Sequence, residues 1–86
     1  MTGRQIGKIM RSLKFTRAEK QLLECQYPEQ CHPGNFTAKL FDAIYAADEY
    51  NRDALARGFP LEVAAVRSWT QGNLRERMEA EADEAA

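Results

Sequence analysis

The 86-residue sequence is poor in the side chains from which catalytic and metal sites are built: it has one histidine and two cysteines. Cys25, Cys31 and His32 lie within eight residues, but as zinc ligands they would need a fourth donor such as Glu29, and their spacing fits no standard finger. A cysteine nucleophile needs a base facing the sulfur and a third group to orient that base. Adjacency of Cys31 and His32 supplies neither. There is no glycine-rich phosphate loop, and no stretch alternates apolar and polar residues long enough to make a sheet. No apolar run approaches the ~18 residues of a membrane span, and the N-terminal segment lacks a signal peptide's continuous apolar core. These absences predict a cytoplasmic, non-membrane protein without enzyme activity, metal or cofactor. A Cys25–Cys31 disulfide is disfavoured in that reducing compartment. Asn35-Phe36-Thr37 matches a glycosylation acceptor, which carries no weight without a secretory signal.

Hydrophobic residues make up 44% and charged residues 29%, a globular balance in a length that fits one domain. A domain this small buries only about 60% of the surface of its unfolded chain, so a second copy of the chain would help, and a homodimer is an expectation.

Helical spacing recurs throughout. Ile6, Ile9, Met10 and Leu13 form one apolar face, with Thr2 and Gln5 as a capping box and Met1 able to staple onto Ile6. Thr16 and Glu19 form a second box before a helix over roughly 17–26 that buries Ala18, Leu22 and Cys25. Two prolines and a glycine make 27–36 a loop. Thr37 is the next expected N-cap, with Phe36 and Phe41 as its staple. Leu40, Phe41, Ile44, Tyr45 and Ala47 then form an apolar face, interrupted by Asp48 and Asn51. The helix either breaks at Asp48, which would cap a new one, or runs on to Arg57. Gly58 suits a left-handed C-terminal position and Pro60 the first turn of a following helix. That helix carries Leu61, Val63, Ala64, Val66 and Trp69 and stops at Gly72. Asn73 with Glu76 caps the last helix, which carries Leu74 and Met78 into an acidic tail. The expected fold is all-α: a compact single-domain bundle of five to six short helices. It has basic N-terminal helices over 3–26, the loop over 27–36, a helical core over 37–71, and an acidic C-terminal helix and tail over 73–86. Trp69, Phe41, Phe59, Tyr45 and Ile44 are its expected centre.

Net charge is −1, but its distribution is uneven. Residues 1–26 hold six basic and two acidic residues, whereas 27–86 hold six basic and eleven acidic. Arg4, Lys8 and Arg11 share the face of the first helix away from its apolar one, with Lys14 at the helix end. These four are the candidate partner-binding residues. Gly7 lies on the same side, where a missing side chain would permit close approach of another backbone. The acidic tail either serves solubility, folds back on the basic helix, or pairs with that helix in another copy.

Ala47-Asp48, Asn51, Leu55, Gly58-Phe59-Pro60, Val63 and Trp69 together resemble a pattern in small helical proteins of bacteriophages and other mobile elements. The resemblance covers residues 47–69 and assigns no functional residue. It implies an accessory protein or inhibitor that acts by binding a host protein. The leading expectation is therefore a small protein-binding module using the basic face, with Tyr27 and Tyr50 as candidate exposed aromatics. The alternative is a small helical nucleic-acid-binding regulator. It is less favoured because neither tight turn, at Gly58 or Gly72, is followed by a basic recognition helix.

Overall fold

A computed structural model describes residues 1–83 and contains seven helices and no strand among them. Glu84, the last acidic residue of the tail, lies outside the described residues together with 85–86.

The first two helices begin as their capping boxes require. In α1 (Gly3–Arg11), the Thr2 hydroxyl accepts from the Gln5 amide and the Gln5 side chain accepts from the Thr2 amide. In α2 (Arg17–Gln26), Thr16 and Glu19 repeat the exchange. α1 buries Ile6 and Ile9 but stops at Ser12, whose backbone is extended. Leu13 therefore drops out of the helical register and is fully exposed, contrary to its expected place on the apolar face. Phe15 is buried instead.

The expected loop over 27–36 contains a single helical turn, α3 (Pro28–Cys31). Proline does not prevent it, because at the first position its missing N–H is one the helix would leave unpaired. His32 ends the turn in the left-handed region, at φ 50°. α4 (Asn35–Ala46) starts before Thr37, on Gly34, with no side-chain cap. Phe36 thus sits in the first helical turn rather than ahead of it as a staple.

Asp48 resolves the two alternatives for the central segment in favour of a break. Its Oδ1 accepts from the Asn51 amide at 2.8 Å and caps α5 (Glu49–Gly58). Arg52 ties the two helices together, its Nε donating to the Ile44 carbonyl at 3.0 Å, near the end of α4. Gly58 remains helical. The corner into α6 (Pro60–Thr70) is made by Phe59 at φ −133°, with Pro60 in the first turn as expected. The glycine that uses the left-handed region is Gly72, at φ 92°, between α6 and α7 (Asn73–Asp83). Asn73 is already helical rather than a cap, and the Gly72 carbonyl accepts from Glu76.

α6 is the hub: it packs against α2, α4, α5 and α7, while α1 lies mainly on α7. Phe41 and Ile44 are in the core as expected, but its remaining centre is aliphatic: Ile9, Leu22, Leu23, Val63, Val66, Leu74 and Met78. Trp69 is only half-buried at the margin, Phe59 is likewise half-buried, and Tyr45 is on the surface. On α6 the inward alanine is Ala65, and Ala64 and Leu61 face out. Leu74 and Met78, on the helix that packs against both α6 and α1, are fully buried there, and Trp69 near the end of α6 stays at the margin beside Arg75.

Candidate interaction surface

The basic face of α1 forms as its spacing requires. Arg4 and Arg11 are exposed and Lys8 is half-buried, while Ile6 and Ile9 point into the core. Neither Arg4 nor Arg11 forms an ion pair among the described residues. A Cβ on Gly7 would meet the Arg11 guanidinium at 3.2 Å. The room left by the glycine is thus taken by a side chain of the same helix, not held open for another backbone.

Lys14 does not join that face. It follows the end of α1, and its ammonium donates to the Glu81 carboxylate of α7 at 2.8 Å. Glu81 is buried, and this hydrogen bond, opposed by burial and helped by the charges of Lys14 and Lys8, holds its carboxyl below the usual glutamate range. The C-terminal helix therefore folds back onto the basic segment. Arg77 of α7 extends the contact, donating to Glu19 of α2 at 2.6 Å and lying 5.6 Å from the Phe15 ring centre.

Several arginines beyond α1 are drawn into the fold. Arg67 of α6 donates to both Glu49 and Asp53 of α5, at 3.0 and 2.8 Å. Arg75 lies 5.1 Å from the centre of the Trp69 ring. That contact lies beside a cleft of about 380 Å³ lined also by Tyr27 and Glu79. Tyr27 packs against the core, whereas Tyr50 is 83% exposed.

A second surface was not legible in the sequence. A groove of about 370 Å³ opens where the first turns of α2, α4 and α6 meet. Its floor and walls include Leu40, Phe36, Phe59 and Leu61, with Arg17 on the α2 side and Glu62 on the α6 side. Phe36 is 67% and Leu61 58% exposed, and the Phe36 and Phe59 rings lie 6.2 Å apart. Phe36 had a local explanation as a staple, which masked its exposure. The outward position of Leu61 depends on which neighbours flank α6.

Cys25 and Cys31 are free thiols. Burial, reinforced by Glu24 and, for Cys25, Asp42, raises both above the ordinary thiol value, which disfavours the nucleophilic thiolate. No three His, Cys, Asp or Glu side chains converge as a metal cluster among the described residues. No described helix is long and apolar enough to cross a membrane. Comparison with protein-family models, curated proteins and solved structures gives no match.

Proposed function

We propose that this chain is a small, non-enzymatic, cytoplasmic protein-binding module that presents Arg4, Lys8 and Arg11 to an acidic surface on a protein partner. Lys14 borders the site, its charge answered by Glu81. The observation that carries the proposal is the different treatment of like charges. Arg52, Arg67, Arg75 and Arg77 are held by neighbouring elements, while Arg4 and Arg11 have no ion-pair partner among the described residues, on a helix whose other side is anchored by Ile6 and Ile9. Exposed cations steer encounter and penalise wrong partners by several kcal/mol. The resemblance of residues 47–69 to proteins of bacteriophages and mobile elements supports a host protein as that partner and an accessory or inhibitory role.

The test is capture from a host lysate by the wild type and by an Arg4→Glu, Arg11→Glu variant, both positions being exposed, with captured partners then titrated at increasing salt. The expected result is a protein bound by the wild type and lost with the variant. Duplex DNA serves as the competing probe. Three phosphate contacts would give a log–log salt slope of about −2.7, and tight binding with that slope would favour a nucleic-acid regulator instead.

A further inference from the structure

We infer that the groove at the first turns of α2, α4 and α6 is a homodimer interface, occupied by the same groove of a second copy of this chain. It is a separate surface from the basic face of α1, and its apolar residues come from different helices. Phe36 and Leu61, although mostly exposed, sit beside the half-buried Phe59 over Leu40. Exposed apolar side chains scattered singly are ordinary on a protein surface, but a cluster around one groove and rimmed by polar groups marks an interaction site.

The rim identifies the occupant. Arg17 stands on the α2 wall and Glu62 on the α6 wall, and they do not pair with each other or with another described residue. A twofold axis makes an interface self-complementary, so that if one residue of a copy meets a second residue of its partner, the reverse contact is made as well. A twofold axis lying in the interface plane and running along the groove, between its two walls, would set each Arg17 against the other copy's Glu62. It closes two ion pairs around a centre of Phe36, Phe59 and Leu61. An acidic or a basic peptide would satisfy only one wall and oppose the other. A second copy satisfies both.

The experiment is sedimentation equilibrium of the full chain across a concentration series, with circular dichroism as the control for folding. The wild type is expected to be dimeric. Leu61→Glu is expected to be monomeric with an unchanged helical spectrum, and because Leu61 is already exposed this substitution does not enter the core. Arg17→Glu and Glu62→Arg should each weaken dimerisation by roughly tenfold, by placing like charges opposite one another. The double exchange should restore the wild-type dissociation constant to within roughly threefold, since coupled partners are non-additive. A wild type that stays monomeric at all concentrations would overturn the inference. A dimer that persists in folded Leu61→Glu, or that the double exchange fails to restore, would place the interface elsewhere.

Discussion

α6 and α1 follow the same helical arithmetic, with apolar residues on one side and charge on another, yet the rest of the chain treats them differently. α6 is enclosed by four helices, and its Arg67 is bound by two carboxylates of α5. α1 rests mainly on α7, and its Arg4 and Arg11 face outward without a partner among the described residues. Arg67 is answered because α5 lies beside it, whereas Glu62 at the start of α6, on the rim of the groove, is not. A peripheral helix keeps whatever charge its outer face carries. On this account stability is concentrated around α6 and recognition on α1, and substitutions in the two regions should separate the two properties.

The largest loss is expected where α4 meets α6. Phe41→Ala should destabilise the fold by about 3–5 kcal/mol in denaturant titrations, the usual cost of truncating a fully buried aromatic. Trp69→Ala should cost visibly less, about 1–3 kcal/mol, because the ring is only partly buried at the margin of the core, with the Arg75 guanidinium beside it. Equal losses at the two positions would mean that Trp69 belongs to the centre after all. Asp48→Ala removes the cap of α5 and should cost about 1 kcal/mol, with a matching loss of amide protection at Asn51 in hydrogen exchange.

The contact of α7 with the segment after α1 provides a test through pH. Glu81 titrates below its ordinary value in the folded state, so its ionisation stabilises the fold above the unfolded value of about 4.3. That contribution disappears as pH falls through the lower folded value. Glu81→Gln should therefore melt below the wild type at neutral pH, and the two melting curves should converge as pH falls through the lowered folded value. A difference independent of pH would show that Lys14 does not govern this carboxyl.

Much of the local structure was legible because its causes are local. The Thr2–Gln5 and Thr16–Glu19 boxes, the Pro60 restart and the reversal at Gly72 each depend on residues within four positions. The break at Asp48 was visible as one of two alternatives, and what distinguishes them is a cap hydrogen bond together with the Arg52 bridge to Ile44. Leu13, Trp69 and Lys14 were less legible because their surroundings are set by distant segments. Glu81 is 67 positions from Lys14, and no spacing rule brings them together. Periodicity placed the basic face of α1 correctly but could not show which of its cations the rest of the chain would claim. The groove at Phe36 and Leu61 was hidden for the same reason: it requires three helix starts to meet.

The central claim is that α1 carries recognition independently of folding. Exposed charges contribute less than about 1 kcal/mol to stability, so Arg4→Glu, Arg11→Glu, which leaves Lys8 beside Glu81, should melt with the wild type. The direct measurement is a binding titration of the captured partner against both proteins, with melting curves in parallel. The account predicts superimposable melting and loss of binding by the variant. Undiminished binding by a normally folded variant would contradict it and return Arg4 and Arg11 to ordinary solvated surface.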